Sequence, residues 1–363
     1  MAAPGAAWVL AGVLAAMLML AESRSPGGGT WTIDINSGAR RLQVAGGESL
    51  LRTLKREGIF LPSACGGRGA CGYCRCRITA GGGPVTPAEE RRLTASDRAG
   101  GMRLGCQVKV LNDLSIEVPE ELLVGREYRG VVEQMRDLTH DIKELRIRLV
   151  EPKTIDFVPG QYVQLEAPPY GQNREGVLRA FSMSSPPSDK GCIELIIRLV
   201  PGGICTTWVF TALEEGDGVK LNGPHGKFHL SDTNAEMIWI AGGSGMAPFW
   251  SLVRHMKGRR IVRPCTYFFG AVQRRDLFLV EELAQLEKEL PWFRFIPALS
   301  GPGEGEGWSG ERGLITEVVD RHVQDGSGKE AYLCGSPGMI DASIKVLKSK
   351  GITDERIFYD KFA

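Results

Sequence analysis

Four cysteines constrain this chain more than any other feature of its sequence. Cys65, Cys71 and Cys74 follow a Cys-x5-Cys-x2-Cys spacing, and Cys106 comes later in the chain. A binuclear iron-sulfur cluster needs four thiolates, and a glycine-rich loop can turn around its edge and bring backbone amides to the sulfurs. The loop from Cys65 to Cys74 contains four glycines. The spacing therefore predicts a [2Fe-2S] site.

Two other uses of these cysteines stay open on the sequence alone. A zinc site usually pairs two Cys-x2-Cys knuckles, and this chain has one, at Cys71 and Cys74. Disulfides would draw on an odd total of nine cysteines, of which the others are scattered. Cys76 alternates out of phase with Cys74 on a predicted strand, so we expect it to be a packed free thiol.

The residues around this loop predict a small α+β fold. Residues 31–35 and 41–44 have the pattern of a hairpin, and residues 49–57 have helical periodicity that ends at Gly58. Residues 104–110 are predicted as a strand that starts at the fourth ligand. From residue 30 to about residue 120, the arrangement resembles the β-grasp ferredoxin module that is fused to flavin reductases.

A second set of motifs follows residue 122. Arg179 and Ser182 begin and end an Arg-x-Phe-Ser segment, and this arginine could neutralise a pyrophosphate. Phe181 could stack on a flat ring system, and Ser182 could hydrogen-bond near a flavin ring nitrogen. The residues that follow supply further candidates for phosphate binding.

A glycine turn at Gly203 precedes Thr206 and Thr207, and it could begin a helix whose N-terminus points at phosphate. Each of these segments is weak evidence alone. Together with the segments at 157–163 and 222–226, in this order, they resemble the antiparallel flavin barrel of the ferredoxin-NADP reductase superfamily. The resemblance implies FAD in preference to FMN.

The third part of the chain opens with a strand and a glycine turn. Residues 237–240 are apolar and lead into Gly242, Gly243, Gly245 and Pro248. A strand that feeds such a turn and then a helix presents backbone amides to a dinucleotide phosphate. Proline stands where the usual Gly-x-Gly-x-x-Gly fingerprint has its last glycine, and this form resembles the nucleotide domain of the same superfamily.

Two later segments complete the predicted site. Cys334, Gly335 and Pro337 follow a predicted strand, so they should lie at the same sheet edge as the glycine turn. In the superfamily that this part resembles, the cysteine of Cys-Gly-x-Pro lies by the nicotinamide. In the same superfamily a terminal aromatic, which would be Phe362 here, shields the flavin face. A small buried residue at 334 and a frayed apolar tail at 362 are the alternatives.

The N-terminal residues predict a single membrane anchor. Residues 1–21 carry no ionisable side chain, and their apolar run approaches the length of about 20 residues that spans a bilayer. Arg24, Arg40 and Arg41 follow the run and nothing basic precedes it, so we expect the catalytic domains on the cytoplasmic side of the inner membrane. A signal peptide lacks support from basic residues or a clean cleavage site, but it stays open, as does a buried helix.

Composition excludes some other functions. A net charge of +1 gives no reason to expect nucleic acid as a partner. Five histidines without a His-Glu-x-x-His pattern argue against a separate mononuclear metal site. A chain of 363 residues with 43% hydrophobic content has room for two or three packed domains.

Taken together, the sequence predicts a multidomain chain. Residues 1–25 are the predicted transmembrane anchor and linker, 30–122 an α+β β-grasp [2Fe-2S] ferredoxin, 123–232 an antiparallel β-barrel that binds FAD, and 233–363 an α/β domain that binds NADH. This order resembles the F subunit family of sodium-translocating NADH:quinone reductases. One departure is a short connection between Gln161 and Arg179, which is more like the soluble reductases of phenol and methane monooxygenases.

The resemblance implies electron transfer from NADH through FAD and the cluster to quinone or a downstream redox subunit of a membrane complex. It places Ser182 and Cys334 beside the transfer, with Phe362 yielding the flavin face. Arg274 and Arg275 could reach a 2'-phosphate, so NADPH stays open. A reductase that supplies a separate oxygenase and a membrane-tethered redox sensor are the alternative functions.

Overall fold

The structure is a computed structural model that describes residues 29–63, 67–70, 72–174, 176–301 and 307–362. The described residues form two compact units, which lie within the ranges Met1–Gly125 with Pro168–Arg179 and Arg126–Ala167 with Ala180–Ala363. The anchor predicted at residues 1–25 lies outside the described residues. Among the residues that are described, no helix has the length and apolar character needed to cross a membrane.

The first unit is built on a five-stranded mixed sheet of order β2-β1-β5-β3-β4. Its elements in chain order are β1 (Thr30–Ile35), β2 (Arg40–Ala45), α1 (Leu50–Arg56), β3 (Arg75–Ala80), α2 (Pro87–Glu90), α3 (Ala95–Ala99), β4 (Met102–Leu104), β5 (Leu114–Glu117) and α4 (Glu121–Val124). The predicted hairpin is confirmed, because β1 and β2 pair antiparallel. The predicted helix is confirmed as α1, where the Ser49 hydroxyl accepts the amide of Arg52 as an N-cap.

The prediction of a strand at residues 104–110 is wrong. β4 ends at Leu104, and the next residues turn, with the amide of Gln107 donating to the carbonyl of Leu104 at 2.8 Å. The same carbonyl also accepts the amide of Val108 at 3.3 Å, so the chain turns directly after β4. Cys106 therefore lies in a turn and not at the start of a strand.

The next sheet has six strands in the order β10-β7-β6-β11-β8-β9, and all of it except residues 177–179 of β9 belongs to the second unit. Its elements are β6 (Arg126–Asp137), β7 (Ile142–Glu151), β8 (Tyr162–Ala167), β9 (Val177–Ser182), β10 (Cys192–Arg198), α5 (Ile204–Thr211) and β11 (Gly218–His225). Antiparallel pairings join β10, β7, β6, β11 and β8. An antiparallel bridge between Met183 and Leu195 joins the two ends of this order, so the sheet is barrel-like.

The rest of the second unit is a parallel sheet of order β15-β14-β13-β12-β16-β17. Its elements are β12 (Met237–Gly242), α6 (Met246–Arg259), β13 (Cys265–Ala271), α7 (Val280–Glu289), β14 (Phe293–Leu299), β15 (Glu311–Arg312), α8 (Ile315–His322), β16 (Glu330–Gly335), α9 (Pro337–Ser349) and β17 (Ile357–Lys361). The strand order reverses at β12, which lies between β13 and β16. In open α/β sheets, ligands bind at the carboxyl ends of the strands at such a switch point.

Both faces of this sheet are covered, as expected for parallel strands. One face packs Trp239, Tyr267 and Cys334 in a cluster with apolar residues of α6 and α7. The opposite face packs Ile240 and Leu333 in a cluster with apolar residues of α8 and α9. Successive residues of β12 and β16 thus point to opposite sides, and the glycine turn that follows β12 is held by a closely packed layer.

A buried ion pair lies at the amino end of β16. The Arg263 side chain is 4% exposed and the Glu330 side chain 3%, and their charged groups are 2.5 Å apart. Glu330 also accepts hydrogen bonds from the hydroxyls of Ser231, Thr233 and Tyr332. Burial alone would raise the pKa of Glu330, but the hydrogen bonds from Ser231, Tyr332, Thr233 and Arg263 lower it to about 2.

We expect Glu330→Gln to lower the free energy of unfolding by about 3 kcal/mol, because it leaves the buried Arg263 guanidinium without a counterion. Since the pKa of Glu330 is lowered in the folded state, its contribution is present above about pH 4.5 and is lost as the pH falls toward 2. Urea titration followed by tryptophan fluorescence measures the change. Asp156→Asn is the control, because Asp156 pairs with Lys190 while 82% exposed, and it should cost less than about 1 kcal/mol.

Candidate functional site

Two of the four predicted cluster ligands lie in the described part of the first unit. Cys65 and Cys71 fall outside it. Cys74 precedes β3, and its carbonyl accepts the amide of Gly105 at 2.7 Å, which places it beside the turn that carries Cys106. A hydrogen bond with Cys74 is the main reason that the pKa of Cys106 is lowered to about 6. A thiol with such a pKa is a thiolate at neutral pH, which is the form that binds iron.

The backbone of the loop fits a cluster. Gly69 has φ +74°, and a Cβ there would lie 2.8 Å from the side chain of Gln107. Gly72, next to the position of Cys71, has φ +76°. Because L-residues rarely adopt this region, both positions favour glycine. No three cysteine, histidine or acidic side chains among the described residues gather as a metal site, and the predicted set contributes only two of its four members there.

A buried carboxylate that the sequence did not reveal holds the turn before Cys106. Glu89 is 0% exposed, and it accepts two hydrogen bonds from the Arg103 guanidinium and one from the amide of Leu104 at 3.0 Å. The same guanidinium donates to the carbonyls of Gly82 and Pro84. Burial would raise the pKa of Glu89, but the hydrogen bonds that it accepts from Arg103 and from the amide of Leu104 lower that pKa. The pair thus fixes β4 two residues from a ligand.

The Arg-x-Phe-Ser segment lies on β9. Ser182 is 4% exposed, and among the described residues its hydroxyl has no hydrogen-bond partner. Buried hydroxyls are rarely left unpaired, so this oxygen suits a polar atom of a bound ring. Phe181 is half-buried. Arg179 lies with its guanidinium 5.2 Å from the ring centre of Tyr73, a residue of the same unit that precedes Cys74.

The glycine turn predicted to begin a helix does so. Gly203 is the residue before α5, and Thr207 lies in the first turn, where its amide donates to the carbonyl of Gly203 at 2.9 Å. The hydroxyl of Thr206 accepts the amide of Val200 at 3.2 Å. Thr206 therefore stabilises the turn itself, and the turn leads directly into the N-terminus of α5, the end of a helix that favours an anion.

The glycine turn after β12 lies against the end of β16. Gly242 ends β12, Gly243 has φ +55°, and a Cβ on Gly245 would be 2.3 Å from the carbonyl oxygen of Cys334. Only glycine permits this approach. Pro248 is in the first turn of α6, where its missing amide costs nothing. The turn and the start of α6 therefore lie at the switch point of the sheet.

The predicted Cys-Gly-x-Pro segment lies at the same edge. Cys334 is fully buried, and burial, followed by the nearby Asp360 carboxylate, raises the pKa of its thiol. Gly335 ends β16, and Pro337 begins α9. The amide of Phe362 donates to the carbonyl of Gly335 at 2.9 Å, so the structure brings Phe362 beside Cys334.

Two further charged residues near this edge were missed from the sequence. Arg198 ends β10 and pairs with Asp141 at 2.7 Å, and its guanidinium comes within 3.5 Å of a Cβ built on Gly243. Asp360 is in register with Cys334 and lines a cavity of about 230 Å³ with Tyr162 and Phe358 among its walls. Burial raises the pKa of Asp360 to about 6. Neither residue belongs to a recognisable motif, so only the folded structure reveals that they lie near this edge.

We expect Arg179→Ala to weaken FAD binding about tenfold to a hundredfold, because a charge-assisted contact to the pyrophosphate contributes about 1.5 to 3 kcal/mol. FAD fluorescence during titration of FAD-free protein measures the affinity. The exposed Arg148 of β7 provides a control, and Arg148→Ala should change the affinity less than about twofold. An unchanged affinity in Arg179→Ala would place the pyrophosphate elsewhere.

Three protein families match successive parts of the chain. Residues 33–111 match the 2Fe-2S iron-sulfur cluster binding domain. Residues 129–230 match the oxidoreductase FAD-binding domain, and residues 239–345 match the oxidoreductase NAD-binding domain. The chain is thus an oxidoreductase with domains for an iron-sulfur cluster, FAD and NADH, as the residues at each site predict.

Solved structures share this arrangement of domains. A cytochrome P450 reductase from Amycolatopsis is 30% identical, with a TM-score of 0.72 over 92% of this chain and 99% of that chain. A ferredoxin reductase in carbazole 1,9a-dioxygenase is 27% identical, with a TM-score of 0.70 and the same coverage.

Curated relatives extend the match to nearly the full length. The F subunit of the Na(+)-translocating NADH-quinone reductase of Neisseria meningitidis is 36% identical, and the alignment covers 96% of both chains. The corresponding protein from Klebsiella pneumoniae is 34% identical, again over 96% of both chains. On this similarity, the chain belongs to the family of F subunits of the Na(+)-translocating NADH-quinone reductases.

Proposed function

We propose that this chain is the NADH-oxidising subunit of a sodium-translocating NADH:quinone reductase complex. In this role it passes electrons from NADH through FAD and a [2Fe-2S] cluster to a membrane acceptor, which is quinone or a downstream redox subunit. The observation that supports the proposal most is the 36% identity over 96% of both chains to a relative with that name.

The proposal assigns each cofactor to a domain. Residues 30–122 hold the cluster, 123–232 hold FAD and 233–363 hold NADH. The cluster ligands are Cys65, Cys71, Cys74 and Cys106. The lowered pKa of Cys106, whose main cause is a hydrogen bond with Cys74, supports this set, because a thiol that ionises readily suits iron better than a structural role.

Bound FAD supplies the conversion between the two electrons that NADH gives up as a hydride and the single electrons that an iron-sulfur cluster accepts. Arg179 balances the charge of the pyrophosphate, Phe181 stacks on the ring system, and Ser182 donates its unpaired hydroxyl to a ring atom. Gly203, Thr206 and Thr207 present the start of α5 to phosphate. The residues that hold NADH belong to the parallel sheet.

On the nucleotide side, Gly242, Gly243 and Gly245 offer amides to the pyrophosphate of NADH, and Pro248 begins the helix behind them. Gly335 and Pro337 turn the chain at the neighbouring strand end. Cys334 lies beside the nicotinamide, and Phe362 shields the flavin face until the nicotinamide arrives. The close approach of Gly245 to Cys334 supports this assignment, because it puts both segments at one edge.

The proposal also places the chain in the inner membrane by a single anchor at residues 1–25, with its catalytic domains in the cytoplasm. The support is the absence of ionisable side chains over residues 1–21 and the arginines that follow. Cytoplasmic placement also supplies NADH and keeps the cluster thiolates reduced.

Purification of the full-length protein from detergent-solubilised membranes tests the proposal. NADH should bleach the flavin absorbance, integral membrane subunits should co-purify, and the assembly should reduce quinone at a rate that depends on sodium. Flavin that NADH does not bleach would leave a redox sensor as the better description. Full activity toward quinone without co-purifying subunits or sodium dependence would contradict membership of a pump.

A second candidate is a reductase that supplies electrons to a separate oxygenase. Two observations favour it over a redox sensor. The structures of an Amycolatopsis cytochrome P450 reductase and a carbazole dioxygenase reductase each cover 92% of this chain. The alignment to the Neisseria meningitidis relative is 390 positions long, although this chain has 363 residues, so that relative carries segments that this chain lacks. Reduction of a soluble protein acceptor but not of membrane quinone would favour this candidate.

A further inference from the structure

Helix α6 makes side-chain contacts with the segment that follows β9, the strand that ends at Ser182. The hydroxyl of Ser251 donates to the carbonyl of Ser185 at 2.6 Å, and the guanidinium of Arg254 donates to the carbonyl of Ser184. Ser184 and Ser185 are both 0% exposed. They come two and three residues after Ser182. Two consecutive carbonyls beside the proposed flavin contact are therefore held by one helix.

The same helix begins directly after the glycine turn of residues 242–245. α6 begins at Met246, directly after Gly245, and Ser251 and Arg254 are three residues apart on one of its faces. Ser251 is about 9 Å along the helix from that turn. A helix is stiff over this length, so a displacement of the carbonyls that it holds would accompany a displacement of the turn.

Arg254 is held in place by further groups. Its Nη2 donates to Oε2 of Glu194 at 2.6 Å, and its guanidinium lies 4.9 Å from the ring centre of Trp250. Oε1 of Glu194 accepts a second hydrogen bond at 2.6 Å, from Arg146. The Glu194 backbone carbonyl accepts the amide of Ser184 at 2.8 Å. Glu194 thus joins β10, the Ser184 segment and α6.

We propose that Arg254 is a positioning residue for the transfer between NADH and FAD, and that Ser251 assists it. The inference rests on the proposed function and extends it. The two residues connect the strand that would contact the flavin ring to the helix whose start would hold the NADH pyrophosphate. In this role Arg254 and Ser251 touch neither cofactor. They act only by fixing the distance between NADH and FAD.

The chemistry makes this distance decisive. A hydride leaves C4 of the nicotinamide and arrives at N5 of the flavin, so NADH is oxidised to NAD+ and the flavin is reduced by two electrons. The reacting atoms must be about 3 to 3.5 Å apart, and a misplacement of about 1 Å can lower the rate a hundredfold. Each cofactor is bound mainly by the residues of its own domain. Loss of the contacts between α6 and the segment at Ser184 and Ser185 should therefore slow hydride transfer more than it weakens binding of FAD or NADH.

A merely stabilising role would give a different result. In that case, removal of the guanidinium would lower thermal stability and FAD content together, and the remaining loaded protein would react normally. A positioning role predicts slower transfer in protein that still holds FAD and still saturates with NADH. The limiting rate of flavin reduction per bound FAD therefore distinguishes a positioning role from a stabilising one.

The experiment compares Arg254→Met and Arg254→Lys with the full-length protein in stopped-flow reduction by NADH. We expect Arg254→Met to lower the limiting rate per bound FAD about tenfold to a hundredfold, with the NADH dissociation constant within about threefold. Arg254→Lys keeps the charge but reaches fewer acceptors, so its limiting rate should lie between those of Arg254→Met and the unaltered protein. Hydrogen exchange in FAD-free protein should be faster over residues 182–186 in Arg254→Met.

Lys257→Met is the matched control. Lys257 lies on the same helix, but its pair with Glu289 is exposed, so neither the limiting rate nor the exchange should change. A limiting rate in Arg254→Met within twofold of the unaltered protein would overturn the proposal, as would a loss that only follows the loss of FAD. If Arg254→Met does not fold, Ser251→Ala decides by the same two measurements. Absence of any flavin reduction in the unaltered protein would refute the proposed function, while the exchange result would still test the connection.

Discussion

Cys106→Ala is expected to remove the [2Fe-2S] cluster and to stop electron delivery to one-electron protein acceptors, while reduction of the flavin by NADH continues. Four thiolates saturate the two irons, and loss of one leaves an iron that cannot be held by the remaining three. The change is severe because Cys106 lies in a turn whose backbone is fixed by the carbonyls of Leu104 and Cys74. Visible absorption and the EPR spectrum of the reduced protein measure the loss.

Cys76→Ala is the matched control for this prediction. Cys76 is two residues from Cys74, but it is buried in the sheet core, and burial raises the pKa of its thiol to about 12. Such a thiol does not ionise at neutral pH, so the variant should keep a normal cluster. A normal EPR signal in Cys106→Ala, or loss of the signal in folded Cys76→Ala, would refute the set of ligands.

Deletion of residues 1–25 is expected to release the protein from the membrane. An uncharged run of about 20 residues is long enough to span a bilayer, and nothing else in the proposed function requires the anchor for folding. The shortened protein should still oxidise NADH with ferricyanide, but it should lose electron transfer to membrane quinone. Fractionation by high-speed centrifugation, followed by both activity measurements, gives the result.

A pair of substitutions refines this test. Leu14→Arg should weaken membrane association, since a charged residue at the centre of a span costs about 2.5 to 3.5 kcal/mol on insertion. Leu14→Ala introduces no charge and should leave the association intact. Full-length protein in the supernatant without detergent, or a mature protein whose first residue lies beyond Ala21, would rule out the anchor.

The sequence predicted those parts of the fold that local rules determine. The hairpin of β1 and β2 follows from alternation, and α1 follows from helical periodicity with Ser49 as its cap. The glycine turn after β12 follows from a strand that feeds glycines and then a helix. In each case the residues that decide the structure are adjacent in the chain.

What the sequence could not predict depends on residues far apart in the chain. The turn at Cys106 is fixed by Glu89, and an acidic residue in a polar segment gives no sign that it will be buried. Likewise, Arg254 and Ser184 are distant in sequence, and their contact arises only when α6 packs beside β10. Tertiary packing overrides the local pattern at both places.

The alternation of side chains along β16 has a consequence for mutational tolerance. Glu330, Tyr332 and Cys334 lie on one face, where they meet the buried arginine, an aromatic stack with Phe358 and the proposed nicotinamide edge in turn. Ala331 and Leu333 lie on the other face, where they pack in a cluster of apolar residues. In a library of variants, the volume of the side chain should therefore decide which substitutions positions 331 and 333 accept. Positions 330, 332 and 334 should accept only residues that keep the charge, the aromatic ring and the thiol, respectively.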